Sequence, residues 1–214
     1  MKNGPVWLIN YSIWIMEQRK NFIVYGSGRT GSHWVESILI GLLAPTSFRY
    51  VNCSMLPSGW IYHTNNIDEL LAISREIRDS VTLIVCDRSN YFDAAISYCV
   101  AKHTGEFFVY TDTPVAPFSV DPKDFATLLH GLHVTYRLVD SEVKPVYSSV
   151  IQIDYNSLVA AAVPEKYVAD QLGIDYTENS EYTHQSIKNT SNYKELILNW
   201  DQLVGVYQNY TVEQ

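Results

Sequence analysis

From Gly26 to Trp34 the chain reads Gly-Ser-Gly-Arg-Thr-Gly-Ser-His-Trp, which sets glycines, hydroxyls and one arginine side by side. Glycines let a loop curl until successive backbone N–H groups and the start of a following helix converge on one anion, and Thr30 and Ser32 add hydroxyl donors. The chemistry of such a run is a phosphate cradle. Gly26 and Gly31 keep the glycine spacing of a nucleoside-triphosphate loop, GxxxxGK(S/T), but Ser32 stands where its lysine belongs and His33 where its magnesium-binding hydroxyl belongs. The cation here lies inside the loop, as Arg29. A second anion contact is spelled by Arg88, just past the apolar run Val81–Cys86, and Ser97, nine positions later in a helical stretch. An arginine at a strand end and a serine on the next helix can meet at one anion. His63 closes the run Trp60–Tyr62, and an imidazole changes charge near neutral pH, as removal of a proton from a hydroxyl requires. His33 is a second candidate base, and Glu36 is the carboxylate nearest in sequence, expected to point away from the loop.

These residues need a scaffold that delivers them to one place. Short apolar runs at Phe22–Tyr25, Trp60–Tyr62, Val81–Cys86 and Val150–Ile153 alternate with stretches of helical spacing. The helices are expected at Thr30–Leu43, Ile67–Ile77, Tyr91–His103, Pro122–Asp140, Pro164–Leu172 and Asn192–Tyr207. Apolar strands without polar alternation imply burial on both faces, hence an α/β domain with a central parallel sheet flanked by helices. Ligands of such sheets bind at the carboxyl ends of the strands, and Arg29, His63 and Arg88 all fall there. Thr111–Pro122, with three prolines, reads as a loop between helices.

Length and charge narrow the function further. The 214 residues are expected to form a single domain, 1–214, with 1–21 as an N-terminal segment packing on the core. Its apolar stretch Val6–Met16 is about half the ~20 residues a membrane helix needs and is followed by no signal-cleavage pattern, so no transmembrane segment is expected. Fifteen basic against 23 acidic residues, a net charge of −8, argue against nucleic acid, whose binding draws on clustered Lys and Arg. Cys53, Cys86 and Cys99 have neither zinc-ligand nor disulfide spacing, which suits reduced thiols and a cytoplasmic protein.

The run Arg29-Thr30-Gly31-Ser32-His33-Trp34 resembles the 5′-phosphosulfate loop of sulfotransferases that use 3′-phosphoadenosine 5′-phosphosulfate (PAPS), (K/R)-(S/T)-G-(T/S)-(T/S)-(W/L). His33 departs from it, since the family carries a hydroxyl there. Arg88 and Phe92-Asp93-Ala94-Ala95-Ile96-Ser97 resemble the family's 3′-phosphate motif, Arg-Asn-Pro-x-Asp-x-x-x-Ser, with one extra residue between arginine and serine. The likeness runs from Phe22 to Leu203 and includes a late strand and helix, Val150–Leu158 and Glu165–Gly173. It implies a P-loop NTPase-like sulfotransferase fold and PAPS as co-substrate, with no metal. The donor would be held by Gly28, Arg29, Thr30, Gly31, Ser32, His33, Trp34, Arg88 and Ser97, and by Lys188 in the loop Gln185–Asn189. Arg29 would stabilise charge on the leaving phosphate oxygen and His63 would be the catalytic base. The acceptor would be a hydroxyl or amine of a small molecule, carbohydrate or lipid, not a long polyanion, because no stripe of basic residues exists to track one. Two other readings stand beside this one: a P-loop kinase of small molecules or nucleosides, opposed by the missing lysine and magnesium hydroxyl, and a catalytically degenerate nucleotide-binding protein.

Overall fold

The computed structural model describes residues 21–43, 53–56, 59–105, 115–176 and 192–212. The N-terminal segment up to residue 20 and the loop carrying Lys188 lie outside the described residues. Five strands make one sheet: β1 (Asn21–Gly26), β2 (Cys53–Leu56), β3 (Gly59–Thr64), β4 (Val81–Asp87) and β5 (Ser149–Asp154). Their order is β2-β3-β1-β4-β5, with β3, β1, β4 and β5 mutually parallel. The expected parallel sheet is therefore present, with one addition. β2 pairs antiparallel with β3, and a strand of four residues on an edge carries too short a pattern to stand out in the sequence.

Burial follows position in the sheet. β1 and β4, at its centre, are buried on both faces, as their unbroken apolar runs require. β5, an edge strand, exposes Ser149 and Gln152, so burial on both faces does not extend to it. The two-residue period of the strands sorts the core into layers. Phe22 and Val24 of β1 pack with Ile84, Cys86 and Ile153 against α1 (Ser32–Leu43), α6 (Tyr155–Ala160) and α7 (Pro164–Leu172). Ile23 and Tyr25, together with Leu83 and Val85, face Leu70 of α2 (Ile67–Ala72) and Val139 and Val143. A third cluster joins α4 (Tyr91–Thr104), α5 (Pro122–Leu138) and α9 (Trp200–Val212), centred on Phe92, Phe125 and Leu203.

Several helices differ from the sequence expectation, each for a local or tertiary reason. The helix expected at Thr30 begins at Ser32, because Gly28, Arg29 and Gly31 hold positive φ angles of 92°, 56° and 76° that no helix accommodates. Ile67–Ile77 breaks into α2 and α3 (Arg75–Ser80), since Ile73 and Ser74 are both extended and Ser74 opens the second helix. Past Leu138, α5 widens into a π-helical turn at Val139–Val143 and a tight turn at Lys144–Val146. Asn192–Tyr207 splits into α8 (Tyr193–Leu196) and α9 because the residues between them serve a distant partner. Leu198 N–H donates to the Phe118 carbonyl at 2.9 Å, and Asn199 exchanges two hydrogen bonds with the backbone of Val120. Tertiary pairing there overrides helix propensity. Pro164–Leu172 matches the expected span, with proline in its first turn and Gly173 at φ 60° as its stop.

Candidate functional site

Parallel strands in register bring their carboxyl ends to one edge. His63 pairs with Val24, Gly26 with Cys86, and Asp87 with Asp154, so the residues that follow β1, β3, β4 and β5 lie together. The glycine-rich loop is the tightest part of that edge. A Cβ on Gly26 would collide with the side chains of Thr30 and Ser32, so only glycine lets the two hydroxyls fold back over the strand end. Gly31 is needed twice over: its φ is left-handed, and a Cβ would come within 2.6 Å of the Tyr155 ring. Arg29 adopts its left-handed φ without glycine's freedom, at a cost of about 1–2 kcal/mol, and its Nε–H donates to Ser97 Oγ at 2.9 Å.

That bond joins the two motifs. The sequence places Ser97 with Arg88 at one anion; the structure gives Ser97 to Arg29. Arg88 lies instead with its guanidinium 4.7 Å from the centre of the Tyr155 ring, a cation–π contact, and is buried. Arg88 Nε and Thr30 Oγ1 are both buried and have no hydrogen-bond partner among the described residues. Burying an unsatisfied donor costs about 1–3 kcal/mol, and these two lie on the same edge of the sheet. Burial pushes the Tyr155 hydroxyl up from its ordinary value, and the positive charges of Arg88 and Arg29 act against that rise.

Tyr155 is a site residue that the sequence reading names for no role. It is held by β5 and α6: Asp154 caps α6 by accepting from Ser157 N–H at 2.9 Å and also accepts from Ser89 N–H at 3.1 Å. Burial raises the Asp154 carboxyl, but these hydrogen bonds outweigh it and leave it below the usual range. The pattern Asp-x-x-Ser at the end of an apolar strand was the available signal, since it marks a helix start directly after the strand.

On the β3 side four polar side chains lie side by side. His63 Nε2 lies 3.0 Å from Ser32 Oγ, and His63 Nδ1 lies 3.2 Å from Glu36 Oε2. His33 Nδ1 approaches the same Glu36 oxygen at 3.4 Å, and its ring meets that of His63 edge to face at 4.0 Å between centres. Glu36 does not point away from the loop as expected. It sits four residues after Ser32 and three after His33, which on a helix is one face, and that face meets β3. Burial alone would raise its carboxyl; hydrogen bonds and charge from His33 and His63 hold it at about 2. An ionised carboxylate only accepts, so the tautomer with the proton on Nδ1 is the one that would face Glu36 with a donor and Ser32 with the Nε2 lone pair. The spacing Ser32-His33-x-x-Glu36 was readable in the sequence; its distance to His63 was not.

Of the residues named from sequence, Gly28, Arg29, Thr30, Gly31, Ser32, His33, His63, Arg88 and Ser97 all lie in the loop, on the helices that follow, or at strand ends of this edge. Trp34 packs on the α1 side of the sheet, its ring centre 6.4 Å from that of Tyr155. Lys188 falls outside the described residues. Among the described residues Cys86 is a buried and Cys99 a half-buried thiol, and no helix is long and apolar enough to cross a membrane. Compared with known proteins, the chain matches no family model, no curated protein and no solved structure.

Proposed function

We propose that this protein transfers a sulfuryl group from PAPS to a hydroxyl or amine of a small-molecule, carbohydrate or lipid acceptor. The observation that carries the reading is the junction of the two anion motifs, in which Arg29 of the glycine-rich loop bonds Ser97 of the motif begun by Arg88. A donor with phosphates at both ends of one nucleoside asks for two anion sites on one edge, and the buried, unpartnered Arg88 Nε and Thr30 Oγ1 suit such a donor. The loop N–H groups and hydroxyls would hold the phosphosulfate, with Arg29 neutralising charge on the phosphate oxygen that departs. Arg88, backed by Tyr155, would take the 3′-phosphate. His63 Nε2 would accept the acceptor's proton as its oxygen or nitrogen forms the new bond to sulfur, with Glu36 holding the tautomer that leaves Nε2 basic. The acceptor hydroxyl would take the place Ser32 Oγ occupies beside that nitrogen.

A thermal-shift comparison of 3′-phosphoadenosine 5′-phosphate, ADP and ATP, each with and without magnesium, tests the reading. The 3′-phosphorylated nucleotide is expected to stabilise the protein without magnesium and more strongly than ADP. Stabilisation by ATP only with magnesium would favour the kinase reading. Binding of the 3′-phosphorylated nucleotide without sulfate transfer to any hydroxyl or amine acceptor would leave the degenerate binding protein.

A further inference from the structure

His33, Glu36 and His63 contribute one nitrogen or oxygen each to a cluster whose ligand atoms all lie within 4.8 Å of one another. Three features separate it from an ordinary histidine–carboxylate contact. The Glu36 oxygen is 3.2 and 3.4 Å from the two Nδ1 atoms, longer than the ~2.7–2.9 Å of a charge-assisted hydrogen bond. Ligands bound at about 2.0–2.1 Å around a tetrahedral ion are about 3.3–3.4 Å apart, so both contacts already have the length of a coordination edge. His33, half exposed, can close the remaining edge by turning its ring. The other nitrogen of His63 has its own partner, Ser32 Oγ, the outer-shell contact that metal-bound imidazoles regularly make. The carboxylate is 5% exposed and comes from a rigid helix, while His63 comes from a strand, so two separate elements fix the geometry.

We infer that His33 Nδ1, Glu36 Oε2 and His63 Nδ1 form a binding site for a divalent transition metal of the zinc type, with a fourth position open to water or a ligand oxygen. Two imidazoles and one carboxylate suit zinc and its transition-metal neighbours and disfavour magnesium, which requires oxygen ligands. The site goes beyond the transferase reading and does not depend on it. It carries a consequence for it, however: an ion on Nδ1 leaves Nε2 protonated, so a zinc-loaded His63 cannot accept a proton and zinc would inhibit transfer.

The test uses the full chain freed of metal by a chelator and titrated with Zn2+, Co2+ or Mg2+ alone, followed by calorimetry and, for Co2+, by visible absorption. One Zn2+ per chain is expected, together with the intense Co2+ bands of four-coordinate geometry and no Mg2+ binding. His33→Ala changes a half-exposed residue, and Glu36→Gln keeps the buried shape. Each is expected to weaken Zn2+ binding more than ~100-fold, beyond the ~10–100-fold typical of outer-shell changes, and Ser32→Ala to weaken it within that range. Circular dichroism of each variant shows that the fold persists. Absence of stoichiometric Zn2+ and Co2+ binding overturns the proposal, and so does wild-type affinity in His33→Ala, which would place the ion on other histidines or thiols. Nucleotide binding measured in chelator is read separately: its loss with zinc binding intact sinks the transferase reading alone, and the reverse result sinks the metal site alone.

Discussion

The two halves of the site differ in what faces their buried charges: imidazoles beside a carboxylate in one, an aromatic ring beside an arginine in the other. Around β3, the His63 ring has Ser32 Oγ as its partner, and the buried Glu36 carboxylate, whose Oε2 makes no hydrogen bond of good geometry among the described residues, lies beside the imidazoles of His33 and His63. In the loop after β1 and at the end of β4, Thr30 Oγ1 and Arg88 Nε are buried with no hydrogen-bond partner among the described residues, and the Tyr155 ring backs Arg88. Groups of opposite character set side by side hold one another in place, whereas buried donors without an acceptor carry a desolvation cost that a bound anion would offset. The first half suits proton transfer and the second suits recognition. Arg29 and Ser97 are the joint between them.

Substitutions can break this contrast or sharpen it. The largest effect is expected from His63→Ala, which removes the proposed base and should lower sulfate transfer by roughly 10²- to 10⁴-fold, measured as turnover with an alcohol acceptor in chelator. Near-normal turnover would move the proton-accepting role to His33. Arg29→Ala should raise the transfer barrier by about 2–4 kcal/mol while donor binding changes less, the pattern of a group that acts on developing charge. A change confined to affinity would make Arg29 an anchor. Arg88→Ala should remove the preference for 3′-phosphoadenosine 5′-phosphate over ADP, a loss of about 2–3 kcal/mol read by calorimetry, without a matching loss of thermal stability. Retained discrimination would detach Arg88 from the 3′-phosphate.

The smallest effects test the contrast most directly, through stability without ligand. Thr30→Val removes a hydroxyl that has no partner and should leave the unliganded protein equally stable or more stable by up to about 1 kcal/mol, while weakening nucleotide binding. Ser32→Ala removes the partner of His63 and should cost about 1 kcal/mol in chemical denaturation. Equal costs for both would mean that the Ser32–His63 contact contributes no more than the unpartnered Thr30 hydroxyl.

Much of the scaffold was legible because its signals are local. Phe22–Tyr25 and Val81–Cys86 are apolar without interruption, and both became central strands buried on two faces. Pro164 and Gly173 punctuated α7 at both ends. The misses share a cause. Ile197–Asn199 reads as helix, and only its partnership with Phe118 and Val120, some 79 positions away for Asn199 and Val120, opens the chain there. Tyr155 was one aromatic among many until β5 placed it against Gly31 and Arg88.

The sequence by itself determined the alternation of strands and helices, the glycine-rich loop after the first strand, and which residues carry hydroxyl, guanidinium and imidazole chemistry. Each of these rests on neighbours within a few positions, where periodicity and φ preference act. Only the tertiary structure decided that Arg29 would meet Ser97 across 68 positions, that His63 would stand between Ser32 and Glu36 across 31 positions from the serine, and that Arg88 would rest on Tyr155. Those pairings follow from the order and register of parallel strands, which align the ends of segments remote in the chain, and burial then selects the partners that each polar group can reach.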